Sequence, residues 1–310
     1  MAHWLFIYFG MRNAKLFNYL HLHVIVFIWG FTAVLGALIS IDAIPLVWYR
    51  MLLASGLVLV FVLISRKRIR FSRRTLFVFF LAGLMIALHW LAFFGAIKVS
   101  NVSVTLAVMS TGAFFTSLIE PLYYKRKIIW YEVLFGLLVI GGLYIIFDVE
   151  TQYTWGIVLA LCASFLGALF SVINGRLSLQ YDAASISLYE LFFGMLCITV
   201  YLIFTGAFDA AFFTLSSSDW IFLLILGWIC TGYAFIASIH VMKWISPYTV
   251  MLTINMEPVY GILLALVILG DSENMSPQFY YGAVLILVTV IFNGILKHRR
   301  ERKNSTWPPT

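Results

Sequence analysis

Long apolar runs dominate this sequence, and their length limits what the chain can fold into. Ten stretches of about 20 residues are nearly free of charge, and about 20 apolar residues are what an α-helix needs to cross a bilayer. Backbone groups in lipid must hydrogen-bond within their own segment, so these stretches are predicted to be helices. The ten predicted spans are Leu20–Ser40, Ile44–Ile64, Thr75–Ile97, Val102–Tyr123, Ile129–Phe147, Trp155–Ile173, Ala184–Thr205, Asp219–His240, Pro247–Leu269 and Phe279–Leu296.

The composition supports lipid as the main solvent of the chain. Hydrophobic residues make up 63% and charged residues 11% of the 310 residues, whereas a soluble domain has about 45–50% apolar and about 25% charged residues. The sequence therefore predicts an all-α integral membrane protein with ten transmembrane helices. We expect a multi-pass protein of the plasma membrane, of the bacterial inner-membrane type.

Basic residues predict the orientation of the spans. With the N-terminus inside, 18 of the 20 Lys and Arg residues fall in inner segments, among them the run "RKRIRFSRR" and the tail "KHRRERK". This is the positive-inside pattern, and it places both termini in the cytoplasm. It also accounts for the formal net charge of +7 without a nucleic-acid partner. The outer loops instead hold acidic residues, namely Asp42, Asp148, Glu150, Asp209, Asp219, Asp271 and Glu273.

The two halves of the chain resemble each other. A shift of 146 residues aligns identical residues, namely Ser100 with Ser246, Val104 with Val250 and Gly136 with Gly282. The string "VWYRMLLASG" of span two resembles "SLYELFFGML" of span seven, which makes Arg50 equivalent to Glu190. Small adjustments align His89 with Tyr233. Because each half has five spans, the second copy is inverted in the membrane, as in alternating-access transporters that bind substrate near the midplane.

Four strings carry a resemblance to a known family. They are "IWGFTAVLG" in span one, "WYRMLLAS" in span two, "AIKVSNVSVTLAVMSTGAFF" leading into span four, and "MKWISPYTVMLTINMEPVYGILLALVILGDS" in span nine. Over about residues 20–296 the chain resembles the drug/metabolite transporter superfamily, specifically its EamA-type members. This resemblance implies two five-helix repeats and the export of amino acids or other small metabolites, but no particular substrate.

The predicted organisation has four parts. They are a cytoplasmic N-terminal segment at 1–19, the first EamA-like repeat at 20–147, the second EamA-like repeat at 155–296, and a basic cytoplasmic tail at 297–310. The short apolar start "MAHWLFIYFG" lacks the basic leader of a cleavable signal. The sequence leaves open whether translation starts at Met1 or at Met11.

Glu257 and Pro258 lie inside the apolar run of span nine. Glu257 follows Pro247 by ten residues and therefore lies about 15 Å into the span, near the midplane. Pro258 cannot donate to the carbonyl near Ile254, so we expect a helix break there. Charged groups at this depth usually face a cavity or a partner. Glu257 is therefore expected to bind a substrate ammonium or to carry a proton; the alternative is a neutral glutamic acid that only braces the spans.

Further polar residues are predicted at depth in other spans. Arg50 and Glu190 lie about 9 Å inside opposite ends of their spans, so a direct ion pair between them is not expected. They would support substrate orientation or gating. His89 lies in the outer half of span three, and its repeat partner Tyr233 favours a lining position for both. The other predicted lining residues are Trp29, Asn255 and Tyr260.

Motifs of other protein classes do not fit. "LASG" at 53–56 lacks the first glycine of a GxSG serine-protease motif, and neither HExxH nor a P-loop occurs. We expect no enzyme activity, no cofactor and no metal. A membrane sensor or channel-like protein is the alternative, although a sensor does not need inverted repeats with a broken span nine. The expected partners are a small-molecule substrate and the lipid bilayer; transport direction, coupling ion and oligomeric state stay open.

Overall fold

The computed structural model describes residues 2–125 and 130–304. Within these ranges the chain forms helices joined by short turns, without strands. Met1, the predicted start of span five at Ile129, and residues 305–310 lie outside the described residues. The α-helices are α1 (Ala2–Leu38), α2 (Ala43–Ile64), α3 (Arg73–Val99), α4 (Val102–Met109), α5 (Gly112–Tyr123), α6 (Trp130–Val149), α7 (Thr154–Leu177), α8 (Ala183–Phe204), α9 (Ser217–Leu224), α10 (Ala234–Val241), α11 (Pro247–Ile254), α12 (Glu257–Ile268) and α13 (Pro277–Asn304).

Eight stretches of the described chain are helical, long and apolar enough to cross a membrane. They correspond to predicted spans one to four and six to nine. Spans five and ten correspond to shorter apolar helical stretches, Leu134–Ile146 within α6 and Pro277–Thr289 within α13. The all-helical membrane fold is thus confirmed. The count of ten spans and the cytoplasmic location of the termini stay predictions.

Polar side chains start helices at matching places in the two halves. Ser72, Ser216 and Ser246 each accept a hydrogen bond from the backbone N–H three residues later. Such caps bind N–H groups that the first helical turn leaves without partners. Ser72 begins span three and Ser216 begins span eight, the corresponding span of the second half. Short polar turns therefore end one membrane helix and begin the next.

Spans four and nine are both broken near their middle. The breaks lie at Ser110–Thr111, between α4 and α5, and at Asn255–Met256, between α11 and α12. A shift of 146 residues brings the two positions within one residue of each other. The N–H groups of Thr111, Asn255 and Met256 bond to carbonyls three residues earlier, at 3.0–3.2 Å. This tighter 3₁₀ pattern interrupts each α-helix without leaving the span.

The sequence predicts the break of span nine at Pro258, and the structure places it slightly earlier. Pro258 is the second residue of α12, a position where proline is tolerated because the first-turn N–H has no helical partner. The equivalent break in span four was missed, since Thr111-Gly112 contains no proline. There the Thr111 hydroxyl donates to the Val108 carbonyl at 2.8 Å, and such bonds compete with the regular helix ladder.

Span eight contains a π-helical stretch, Ile225–Tyr233, between α9 and α10. The hydroxyl of Thr231 donates to the carbonyl of Leu226, five residues earlier, at 2.6 Å. A π-helical turn holds an extra residue and occurs often at functional sites. It also rotates the following residues around the helix axis relative to a regular α-helix.

Helix packing follows the two-repeat plan. Each contact in one half has a counterpart in the other. The contact of α3 with α7 corresponds to that of span eight with α1, and the contact of α1 with α12 corresponds to that of α7 with α4 and α5. The contact of α3 with α8 corresponds to that of the π-helical stretch with α2. The pairs α2–α8 and α6–α13 map onto themselves. The pattern is therefore unchanged when the first five spans are exchanged with the last five, as two structural repeats require.

Candidate substrate cavity

A cavity of about 100 Å³ lies between helices of both halves. A cavity of this size has room for several waters. Binding sites for drug-sized ligands measure about 300–1,000 Å³, so helices have to move apart for such a ligand. The polar lining residues are Thr32, Arg50, His89, Ser171, Ser238 and Glu257. The larger apolar and aromatic ones include Trp29, Trp90, Phe93, Phe170, Phe235, Met109, Met242 and Met251.

Arg50 is a positively charged residue of the cavity lining, and only 2% of it is exposed. Its Nε donates to Thr231 Oγ1 at 2.6 Å, and its guanidinium carbon lies 4.0 Å from the Trp90 ring centroid. Its Nη1 has no hydrogen-bond partner within the described chain. A planar guanidinium matches a carboxylate with two parallel hydrogen bonds. The contacts of Arg50 therefore leave donors available for an anionic group in the cavity.

Trp29 is held by the same π-helical stretch as Arg50. Its indole Nε1 donates to the Cys230 carbonyl at 3.0 Å, next to the Thr231 hydroxyl that accepts from Arg50. Span one and span two thus both contact one turn of span eight. Any rearrangement of that turn changes the position of two cavity residues together.

His89 of α3 is half-buried and also lines the cavity. Its Nδ1 donates to the Ala163 carbonyl at 2.7 Å, because a carbonyl oxygen can only accept. In the neutral tautomer Nε2 is then an acceptor. Gly167 leaves room for the ring, since a Cβ there would lie 3.0 Å from His89 Cε1. The sequence prediction that His89 lines a cavity agrees with this placement.

Glu257 lies at the first residue of α12 and lines the cavity. A helix N-terminus favours negative charge, and the missing N–H of Pro258 leaves the carbonyl of Ile254 without its usual helical donor. Glu257 and Arg50 lie within electrostatic range of each other. They form no ion pair, because Lys67–Asp182 is the one N–O pair within 4.0 Å in the described part of the chain.

Two predicted lining residues of span nine face other helices. Asn255 is 2% exposed, lies within the break, and its Nδ2 has no hydrogen-bond partner among the described residues. Tyr260 packs over span one, where a Cβ on Gly30 would lie 2.9 Å from the Tyr260 Cβ. Its ring meets Phe27 edge to face at 5.5 Å. Both residues shape the break, but neither lines the cavity.

Tyr233 does not lie where the repeat alignment predicts. Its hydroxyl hydrogen-bonds to His21 Nε2 at 2.8 Å, and its side chain is 46% exposed. It lines a separate groove that also contains His240. The 146-residue shift without adjustment pairs His89 with Phe235 rather than with Tyr233. Phe235 and Ser238 face the cavity from span eight instead.

Glu190 is fully buried outside the cavity, beside Asn174 of α7. Neither of its carboxyl oxygens has a hydrogen-bond partner in the described ranges. A Cβ on Gly83 would lie 2.5 Å from the Glu190 carbonyl oxygen, so α3 and α8 cross at this point. Glu190 and Arg50 therefore do not meet, in agreement with the depth estimate.

Sequence reasoning missed the hydroxyl groups of the cavity, namely those of Thr32, Ser171 and Ser238. Thr32 lies three residues after Trp29, and Ser238 three residues after Phe235. These spacings place each pair on one helix face. The signal was available in the sequence. It was weak because short hydroxyl side chains are common in membrane helices, where they also hydrogen-bond to the backbone.

Two helical repeats, a broken span in each, and a cavity of mixed charge between them define the architecture of a membrane transporter. The model of the EamA-like transporter family matches residues 16–148 and 154–295. The chain belongs to the EamA-like transporter family.

Two further proteins are similar to this chain. A protein of Clostridium kluyveri described as an uncharacterized transporter is 22% identical over 216 residues, which cover 67% of each chain. A solved crystal structure aligns with a TM-score of 0.67 at 15% identity, over 91% of this chain and 98% of its own. At that identity the second similarity shows a shared fold.

Proposed function

We propose that this protein is a secondary-active transporter that exports amino acids or similar small metabolites by alternating access. Its location would be a bacterial-type plasma membrane. The two five-helix halves rock around the cavity, which opens to one side of the membrane at a time. The family membership supports the transporter class, and the chemistry of the cavity supports the choice of substrate.

One observation carries the substrate class. Arg50 and Glu257 line the same cavity within electrostatic range but do not pair with each other. A ligand with both a carboxylate and an ammonium complements the two groups, because each buried charge then gains an opposite partner. Trp29 and Trp90 add ring surface for an apolar side chain. An amino acid has all three features.

Contacts at the predicted outer ends support a state closed to the outside. The Asp219 carboxylate accepts from the N–H and the hydroxyl of Ser40, both at 2.7 Å. Glu273 accepts from the N–H groups of Val102 and Ser103 at 3.0 and 2.8 Å. Both carboxylates are 2% exposed and tie the first half to the second. Alternating access requires a seal of this kind on one side of the membrane at a time.

The test compares the medium of three cultures at equal protein abundance. One culture produces the parent, one Glu257→Gln, and one the matched control Glu120→Gln, another buried glutamate but outside the cavity. Untargeted mass spectrometry should find a metabolite that is enriched in the medium of the parent and of the Glu120→Gln control, but not in the medium of Glu257→Gln. Uptake into proteoliposomes then measures that metabolite directly. Equal metabolite profiles for all three cultures, together with no uptake of amino acids into proteoliposomes, would refute the proposal.

A further inference from the structure

A second polar cluster begins at the cavity wall and continues away from the cavity into the protein. Ser171, Asn174 and Glu190 are 3%, 0% and 0% exposed. The Ser171 hydroxyl, both amide atoms of Asn174 and both carboxyl oxygens of Glu190 have no hydrogen-bond partner within residues 2–125 and 130–304. Buried polar atoms are nearly always paired, so a cluster of five calls for a ligand or a water.

The three side chains form a series that leads from the cavity into the protein. Ser171 is itself a cavity-lining residue. Asn174 follows it by three residues on α7, on the same helix face and about 4.5 Å further along the axis. Asn174 in turn lies beside Glu190 of α8. Hydrogen-bonding groups thus continue from the cavity to a buried carboxyl group.

Among residues 2–125 and 130–304, no basic side chain forms an ion pair with Glu190. Its helix packs against α2, α3 and α10, and Asn174 of α7 is the polar group that reaches it. The charged and titratable groups of these helices have other surroundings. Arg50 of α2 and His89 of α3 face the cavity, and His240 of α10 faces the groove of Tyr233. Arg73 and Arg74 at the start of α3 are exposed, and Lys98 near its end donates to the Ile39 carbonyl. Arg176 of α7 lies over the Tyr123 ring. An unpaired carboxylate in such a place is highly unfavourable unless it binds a cation.

We propose that Glu190 and Asn174 form a proton-binding site that couples proton movement to transport, separate from the substrate cavity. The inference rests on the proposed transport function. A proton taken from water on one side forms an O–H bond with a Glu190 oxygen, and Asn174 Oδ1 accepts from that O–H. When the halves rock, the O–H bond breaks and the proton leaves to water on the other side. No further reactant is required.

The first test needs no substrate. Infrared difference spectra of the purified protein, recorded between acidic and alkaline pH, report the C=O stretch of a protonated buried carboxyl group. All spectra are recorded in a Glu257→Gln background, because Glu257 is a second carboxyl group in the membrane that can exchange a proton. In that background the protein that keeps Glu190 and its Glu120→Gln control should show a band that disappears at alkaline pH, and Glu190→Gln should lack it. A band that persists at every pH, or that survives in Glu190→Gln, would overturn the proposal and leave Glu190 as a neutral brace.

The second test separates coupling from transport. Proteoliposomes are loaded with the metabolite found in the medium, and exchange of labelled for unlabelled metabolite is measured beside accumulation driven by a pH gradient. Glu190→Gln should keep exchange, since glutamine has nearly the same size and can hydrogen-bond to an amide, and should lose gradient-driven accumulation. Retention of both activities refutes the proton site. Absence of both activities in the parent instead refutes the transport function on which the site rests.

Discussion

The guanidinium carbon of Arg50 lies 4.0 Å from the centroid of the Trp90 ring and 5.3 Å from that of Phe94. A cation over an aromatic face is attracted to the ring. Its charge is not neutralised, as it would be in an ion pair with a carboxylate. Together with the hydrogen bond to Thr231, these contacts hold Arg50 in place at the cavity. Its position is thus fixed by spans three and eight before any substrate binds.

Replacing Arg50 with lysine should weaken substrate binding about tenfold or more. Lysine keeps the charge but loses the planar fork that binds a carboxylate with two hydrogen bonds, and hydrogen bonds to charged groups are worth about 1.5–3 kcal/mol. The measurement is the KM for uptake into proteoliposomes. Trp48→Phe, which changes an aromatic residue outside the cavity, serves as the control. A KM for Arg50→Lys equal to that of the parent would show that Arg50 does not contact the substrate.

Glu257→Gln should abolish or uncouple transport while the protein still folds and inserts. Glutamine has nearly the same size but can neither carry a negative charge nor exchange a proton. Transport is measured in proteoliposomes across a range of pH, and folding by a single symmetric peak in size-exclusion chromatography. Parent-like transport rates at every pH in this variant would disprove the role given to Glu257.

Gly83→Ala should destabilise the crossing of α3 and α8. The new Cβ would lie 2.5 Å from the Glu190 carbonyl oxygen and 3.1 Å from its Cα, and backbone atoms cannot move aside alone. Overpacking of this kind costs about 1–3 kcal/mol. Gly56→Ala is the matched control, because no atom lies within 4 Å of its added Cβ. Thermal unfolding is measured in detergent. The unfolding temperature of Gly83→Ala should lie below that of the parent, and that of Gly56→Ala should not.

Lys67 and Asp182 link two loops outside the membrane spans at 2.9 Å. Partial burial acts to raise the pKa of Asp182, but the hydrogen bond and charge of Lys67 and the Ala184 N–H outweigh it and hold the pKa below its ordinary value of 3.8. The stabilisation is therefore complete above that ordinary pKa and is lost as the pH falls through the lower pKa of the folded state.

Asp182→Asn should remove this pH-dependent contribution. Because both side chains are about one-third exposed, water screens the pair and its contribution is about 1 kcal/mol or less. The difference in unfolding temperature between parent and variant should be largest above the ordinary pKa of aspartate and shrink toward strongly acidic pH. A difference that grows on acidification would contradict the assigned direction.

The sequence predicted the membrane fold well because lipid imposes a single rule on every span. An apolar run of about 20 residues must satisfy its backbone internally, and only a helix does so. The helices of spans two, three and four lie within two residues of their predicted ends. The 146-residue shift also brought the two broken spans into correspondence, although the sequence alone pointed to only one of the breaks.

The site was predicted in part, because composition and depth do not reveal which way a helix faces. Of the predicted lining residues, Trp29, His89 and Glu257 lie at the cavity, and so does Arg50, for which the sequence predicted a role in orientation or gating. The binding roles of these residues stay predictions. Tyr233 lies in a separate groove, and the unadjusted 146-residue shift pairs His89 with Phe235, which does line the cavity. The depth of Glu190 within its span marked this residue as unusual. The sequence did not show that Asn174 lies beside it.

The sequence by itself determined the solvent of each segment, the helical state of the spans, the duplication and the family. These follow from local composition and from the order of residues along the chain. The tertiary structure alone decided the rotation of each helix about its axis. That rotation placed Arg50 on Trp90, Glu257 in the cavity and Glu190 beside Asn174. It depends on packing between residues far apart in sequence, which no single segment encodes.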